Sequence, residues 1–252
     1  MKESKAISIL KRYEKYRNKF VFWSGGKDST VALHLAMRAW NDFRVVFIDT
    51  TITVPETLDY VRKQSKEWNL DLVILRPEHD FFYYARKWGF PAVPNYLWCR
   101  RVLKLEPIRR FYDKFYGMKI QVLGLRRSKS VARRKTKPIL RKTHFRNTIG
   151  ICPIYDWSKE DVFRYLRKYE IPINLAYRIY KRNSGCYFCP FIKNIRFYLR
   201  LKYEHPKLFL KLLNLEKEIR SVQSGKFKTL SKCNFSDIAL QTHLPKTIKK
   251  VV

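Results

Sequence analysis

The chain has 252 residues, enough to bury a sizeable core as one large domain or as a main domain with an extension. Hydrophobic residues make up 46%, which excludes a disordered chain, and no apolar run reaches the roughly 18 residues of a membrane-spanning helix. Fifty-four Lys and Arg stand against 21 Asp and Glu, a net charge of +33, and a field of that sign recruits polyanions.

The N-terminus, Met1-Lys2-Glu3-Ser4-Lys5, leads into mixed polar sequence rather than the apolar core of a signal peptide, so a cytoplasmic protein is expected. Residues 1–18 read as a charged helix with Ile7, Leu10, Tyr13 and Arg17 at helical spacing. Lys19–Trp23 is the first strand. Ser24-Gly25-Gly26-Lys27-Asp28-Ser29 follows it directly and opens a helix carrying Val31, Leu35 and Ala39 on one face. A strand, a glycine turn and a helix form an anion-binding device. The glycines admit a phosphate to the backbone, the helix N-terminus points N–H groups at it, and Ser24, Ser29, Thr30 and Lys27 add donors and charge. The G-x-x-x-x-G-K-[ST] spacing of a Walker loop is absent.

Phe43–Asp49 is the second strand and ends in Asp49-Thr50-Thr51; Glu56–Trp68 is a helix with Leu58, Val61 and Ser65 on one side; Leu70–Leu75 is the third strand. Residues 79–118 read as helical around a loop containing Pro91 and Pro94, and Lys119–Gly124 is a fourth strand. Alternating strands and helices predict an α/β fold with a doubly wound, mostly parallel sheet of Rossmann-like type. Ligands then sit at the carboxyl ends of the strands, where the Ser24 turn, Asp49–Thr51 and Leu75–Pro77 all fall. Leu125–Gly150 shows no strong periodicity, and Ile151–Trp157 reads as extended. Ser158, with Asp161 three residues on, caps a helix whose buried side is Val162, Phe163 and Leu166. More helix follows the Cys186–Cys189 turn, with a core stripe of Leu208, Leu212, Leu215 and Ile219. The expected organisation is a nucleotide-binding domain over 1–180 and a cysteine knuckle with a helical basic extension over 181–252.

The charge is lopsided. Residues 99–252 hold 38 basic and 10 acidic residues, a net of +28, against +5 for residues 1–98. Between Asp113 and Asp156 there is no acid, and residues 126–146 carry ten cations. Such a density cannot be core. Lys129, Arg133, Arg134, Lys135, Lys137, Arg141 and Lys142 are therefore expected to seat a nucleic acid, RNA before DNA. An anionic membrane fits less well, because no amphipathic helix with one clean basic face stands out. A second acid-free stretch, from Glu170 to Glu204, interleaves Tyr177, Tyr180, Tyr187, Phe188 and Tyr198 with seven cations. That pattern suits stacked bases, although core packing accounts for most of these rings.

Five cysteines, an odd number in such a chain, argue against a disulfide framework. Cys186-Tyr187-Phe188-Cys189, between Gly185 and Pro190, has the form of a thiolate metal knuckle. A metal site would have to recruit Cys99 or Cys152 as well. Four thiolates suit zinc or an iron–sulfur cluster, and three would leave one iron open. Cys233 reads as a buried small hydrophobe.

These strings resemble a known family. Ser24–Ser29 is similar to the S-G-G-x-D-S pyrophosphate loop of the adenine nucleotide α-hydrolase (PP-loop) superfamily. Within it, the chain resembles the phosphoadenosine phosphosulfate (PAPS) reductase family over roughly residues 19–200. The second strand, Phe47-Ile48-Asp49-Thr50, with Pro55-Glu56-Thr57, is similar to that family's second strand and the helix that follows. Trp98-Cys99-Arg100-Arg101-Val102-Leu103-Lys104 with Pro107 is similar to its W-C-x-x-x-L-K-x-x-P segment. Gly124-Leu125-Arg126 with Ser130 and Arg133 resembles G-x-R-x-x-E-S-x-x-R, but Lys129 stands where the family string has glutamate. Pro153-Ile154-Tyr155-Asp156-Trp157 with Asn174 and Tyr177 resembles P-I-x-x-W…N-x-x-Y, and Gly185-Cys186-x-x-Cys189-Pro190 its knuckle.

The resemblance implies a nucleotide site at Ser24, Gly25, Gly26, Lys27, Asp28, Ser29, Asp49, Thr50 and Arg126, for ATP or a sulfonucleotide. It implies an iron–sulfur cluster shared by Cys99, Cys186 and Cys189, with Zn²⁺ the alternative. This chain has Cys99-Arg100 where cluster-bearing relatives often have a Cys-Cys pair, so one ligand is missing unless Cys152 supplies it. The E-C-G-x-H string of sulfonucleotide reductases is also missing, and the tail reads Lys232-Cys233-Asn234-Phe235. The expectation is an ATP-dependent sulfurtransferase acting on nucleic acid, most readily tRNA, with a sulfur donor and Mg²⁺. Lys27 and Arg126 would hold phosphates, Asp28 would help place the metal, and Cys99 would serve the sulfur step. A PAPS or adenylylsulfate reductase is the alternative. A non-enzymatic RNA- or ribosome-associated protein with a retained nucleotide fold is the third reading.

Overall fold

The computed structural model describes residues 2–91, 96–181, 185–192, 194–222 and 235–240; Pro94 and Cys233 lie outside the described residues. A six-stranded sheet has the order β3-β2-β1-β4-β6-β5. Its strands are β1 (Asn18–Phe22), β2 (Arg44–Ile48), β3 (Leu72–Leu75), β4 (Lys119–Leu123), β5 (Ile139–Leu140) and β6 (Thr148–Ile151). All neighbours pair in parallel except β5, which runs antiparallel to β6 with Ile139 opposite Ile151. The order reverses between β1 and β4, and a crevice opens at such a switch point.

Alternating residues divide the sheet between two cores. Val21, Val45, Phe47, Ile120 and Val122 face α1 (Lys2–Lys11), α2 (Lys27–Ala39), α3 (Pro55–Glu67) and α8 (Lys159–Lys168). Phe20, Phe22 and Val46 face α6 (Glu106–Tyr112) through Ile108, Phe111 and Tyr112. A strand covered on both faces has to be apolar throughout, which is why Phe20–Phe22 carries no alternation.

A third core lies beside the sheet. It joins Ile52, Val54 and Leu103 with α4 (Phe81–Trp88), Trp98 of α5 (Trp98–Arg100), α9 (Ala176–Tyr180), α10 (Ile195–Glu204), α11 (Pro206–Val222) and α12 (Phe235–Leu240). The stripe predicted on α11 lies in it, with Leu212, Leu215 and Ile219 buried. Tyr180, Tyr187, Phe188 and Tyr198 are buried there too, so those aromatics are core rather than stacking surface.

Two stretches differ from the sequence reading. Leu125–Gly150 is not an unstructured loop throughout: it holds α7 (Val131–Arg134) and β5, and β6 begins at Thr148. Ile151–Trp157 is not extended. The strand ends at Ile151 and the chain turns through Pro153–Asp156, with Tyr155 N donating to Cys152 O at 3.1 Å and Trp157 N to Ile154 O at 3.0 Å. Proline offers no N–H to a ladder, so the strand could not continue through residue 153. Ser158 and Asp161 form the expected capping box on α8. Among the described residues no helix is long and apolar enough to cross a membrane.

Candidate functional site

At the carboxyl ends of β1, β2 and β4 lies a cleft of about 620 Å³. Two glycines shape its floor. Gly25 has φ +67°, and a Cβ there would stand 2.9 Å from Thr57 Cγ2. Gly124, just past β4, is pressed against the first turn of α2: a Cβ would stand 2.5 Å from both Ser29 N and Ser29 Cα. Only glycine permits either approach.

The turn itself is fastened from several sides. Ser24 N donates to Ser29 Oγ at 3.2 Å, and Ser29 Oγ donates to Gly26 O at 2.8 Å. Trp23 Nε1 donates to Thr30 Oγ1 at 2.9 Å, and that hydroxyl donates to Gly26 O at 3.0 Å. Asn174 Nδ2 reaches across to Gly25 O at 3.1 Å and Thr57 Oγ1 at 2.9 Å. Lys27 N donates to Tyr177 OH at 3.2 Å, while Lys27 Nζ lies 5.0 Å from the Tyr177 ring and 5.8 Å from that of Phe163. Burial holds the Lys27 ammonium below the ordinary lysine range; Asp28 opposes that shift, and Lys129, Arg126 and Lys159 reinforce it.

Asp28 is 4% exposed and has a cation on each oxygen. Arg126 Nε donates to Oδ1 at 3.0 Å, and Lys129 Nζ lies 2.5 Å from Oδ2. Oδ2 is closed to solvent and receives no aligned hydrogen bond, so its contact with Lys129 is ionic. Arg126 is itself 4% exposed and donates further to Ser128 Oγ at 2.9 Å and Trp157 O at 3.4 Å. Each Asp28 oxygen thus already faces a cation, and Mg²⁺ could reach Oδ2 only by displacing Lys129.

Of the sequence-predicted nucleotide residues, Ser24, Gly26, Asp28, Ser29 and Thr50 line the cleft. Gly25, Lys27, Asp49 and Arg126 belong to the surrounding elements and are not part of that lining. Asp49 is buried as a structural acceptor, taking Thr51 N at 3.0 Å and Arg76 Nε at 3.0 Å. The lining also includes Thr53, Thr57, Arg100, Lys104, Gln121 and Tyr177, which the sequence reading did not single out as site residues. Arg100 and Lys104 had one usable signal, a four-residue spacing that sets both on one helix face; Arg100 precedes and Lys104 lies within a π-helical turn, Arg101–Leu105, a form that recurs at functional sites.

The knuckle docks onto the second strand's exit. Val54 N donates to Gly185 O at 3.0 Å and Tyr187 N to Ile52 O at 2.7 Å. This sets Cys186 Sγ 3.3 Å from Thr50 Oγ1 and on the cleft wall. Cys99 lies near Cys186 and Cys189: burial first, then those two thiols, pushes its own thiol up to about 11. Cys152 is elsewhere, buried past the end of β6, its N donating to Pro138 O at 2.8 Å, with burial pushing its thiol to about 12. Among the described residues no three His, Cys, Asp or Glu side chains are gathered to hold a metal ion. The donor set as arranged therefore does not fit an iron–sulfur cluster or zinc, and no step is derived through either.

The basic segment leads out of the cleft. Lys129 and Arg133 line it, while Arg134, Lys135, Lys137, Arg141 and Lys142 are exposed beyond. Tyr155 OH donates to Thr136 O at 2.6 Å and Arg133 O at 3.1 Å, and β5 pairs with β6, so the segment is anchored at both ends.

A glycine turn at the switch point of this sheet defines a PP-loop α/β protein of the adenine nucleotide α-hydrolase fold. Residues 18–191 match the phosphoadenosine phosphosulfate reductase domain, and the chain belongs to that family. It is 36% identical over 220 residues to an uncharacterised protein of Methanocaldococcus jannaschii, covering 85% of this chain and 53% of that one. It is 28% identical over 193 residues to an adenosine 5'-phosphosulfate reductase of Bacillus cereus, covering 73% of this chain and 79% of that one. The chain spans about half the length of the M. jannaschii relatives it matches. A PAPS reductase from Candida auris shares the fold, with a TM-score of 0.56 at 23% identity over 71% of this chain and 87% of that one.

Proposed function

We propose that this protein binds ATP in the cleft and uses it to thiolate a nucleic acid, with tRNA the first candidate. The observation that carries this reading is the continuity of the glycine-turn cleft with the exposed cations of residues 129–142. A sulfonucleotide is a small anion and gives that outer track nothing to hold, whereas a polynucleotide backbone does.

The chemistry suits these parts. A nucleobase carbonyl oxygen is a poor leaving group. Its attack on the α-phosphorus of ATP forms an O–P bond and expels pyrophosphate. The Ser24–Ser29 turn and the N-terminus of α2 would hold that product. A sulfide equivalent from an external donor then adds to the activated carbon, and AMP departs with the oxygen, leaving C=S after loss of a proton. Lys27, Lys129, Arg100 and Lys104 supply positive charge where negative charge develops. Cys186 is the thiol on the cleft wall and the candidate for guiding the sulfur.

Nucleoside mass spectrometry of tRNA and DNA from a deletion strain tests the proposal. A missing thionucleoside in tRNA supports it, and an unchanged nucleoside profile contradicts it. The second reading, adenylylsulfate reduction, is favoured by the 28% identity to reductases over 79% of their length. Thioredoxin-coupled release of sulfite from adenylylsulfate would select it.

A further inference from the structure

Lys129 stands where the string that Gly124–Arg133 resembles has glutamate, and its surroundings give a cation there a consequence. It ends a short 3₁₀ turn, Arg127–Lys129, that follows Arg126. Gly124 lets this segment close onto the first turn of α2, because its missing Cβ makes room for Ser29. The approach brings Lys129 Nζ to 2.5 Å from Asp28 Oδ2 while Arg126 holds Oδ1. Lys129 also lines the cleft, so its charge faces Asp28 and any bound anion together. A glutamate at 129 would instead set two carboxylates side by side, an arrangement that repels itself and draws in a cation.

We propose that Lys129 stands in for a divalent cation at the glycine turn: with Arg126 it neutralises Asp28, and the cleft takes its adenine nucleotide without Mg²⁺. The carboxylate that would otherwise anchor a metal is spent on two fixed cations. Its buried Oδ2 could accept a metal only by expelling the ammonium. One buried acid against Arg126, Lys129 and Lys27 leaves the turn with a surplus of two positive charges, a field that favours phosphate in the cleft, with Lys129 the one of the three that lines it. This inference rests on the reading of the cleft as an ATP site and extends it to how phosphate charge is met.

The test is calorimetric titration of the full chain with ATP, once with excess Mg²⁺ and once with EDTA. Wild-type affinity is expected to agree within about threefold between the two buffers. Lys129→Glu is expected to bind ATP about tenfold or more weakly in EDTA and to recover with Mg²⁺. Lys129→Arg, which keeps the charge, should bind equally in both buffers. Nucleotide-free Lys129→Glu should also bind Mn²⁺, read by its electron paramagnetic resonance signal, where wild type does not. A wild-type affinity that collapses in EDTA would overturn the inference and leave the ATP site standing. The same holds if Lys129→Glu binds as wild type in EDTA, or if Lys129→Arg alone acquires a Mg²⁺ requirement. No ATP binding in either buffer would overturn both the inference and the ATP site. Thermal melting of each variant separates loss of binding from loss of fold.

Discussion

Around the glycine turn, the cleft is made of short, buried, mutually satisfying contacts, whereas the basic segment that runs on from Lys129 presents Arg133, Arg134, Lys135, Lys137 and Arg141 as a second wall. The first wall cannot yield: Gly25 and Gly124 leave no room for a Cβ, Asn174 ties the turn to Thr57, and Asp28 is held from both sides. On the second wall, the backbone is anchored by Tyr155 and by β5 pairing with β6, and the side chains are left to project. Rigid backbone donors suit a small ligand of fixed shape, whereas a field of projecting cations suits a long anion in many registers. The two walls should therefore fail differently when altered.

Lys27→Ala is expected to have the largest effect. Removing one cation from the turn should lower ATP-dependent turnover by about 10²–10³, as for loss of one preorganised donor, while nucleic-acid affinity stays near wild type. Equal loss of both in parallel turnover and gel-shift assays would erase the distinction between the walls. Replacing Arg134, Lys135, Lys137 and Arg141 together with Ala should do the reverse. ATP affinity should hold, and the slope of log affinity for tRNA against log salt should flatten by about 3–4 if all four meet phosphates. Gly124→Ala should destabilise the fold by about 1–3 kcal/mol in urea unfolding, because Ser29 backbone cannot retreat without moving α2. The smallest effect is Ser158→Ala, which removes the capping box for about 1 kcal/mol and leaves both ligands untouched.

A pH series sharpens the same contrast. Burial lowers the Lys27 pKa relative to the unfolded chain, so folding penalises its charged form and that penalty fades as pH rises through the folded value. ATP affinity needs the ammonium and should fall over the same interval, beginning below the ordinary lysine range. Lys27→Arg should carry the affinity to higher pH, and a wild-type profile matching that of Lys27→Arg would remove Lys27 from phosphate binding.

The glycine turn, the first four strands and the capping box were legible because each is written locally, in spacing and residue type. Asn174 and Tyr177 could be located by family resemblance but not given their work, since their contacts with Gly25 and Lys27 span 149 and 150 residues. Arg126 was legible as a site residue, but its aim was not: the guanidinium turns inward to Asp28 rather than outward to a phosphate. The β5–β6 hairpin was missed because two apolar residues in a run of cations carry no period, and their pairing is fixed by the sheet. The run from Ile151 looked extended until Pro153 ended its ladder. Cys152 could be counted among possible ligands from sequence, while its separation from Cys99, Cys186 and Cys189 is a matter of topology.

Pyrophosphate release from purified protein decides whether the cleft spends ATP on a polynucleotide held by the second wall. With ATP, a sulfide source and tRNA, the account predicts pyrophosphate, AMP and thionucleoside in equal amounts, with no release when tRNA is omitted. Pyrophosphate release indifferent to tRNA, or none at all while adenylylsulfate yields sulfite, would contradict it.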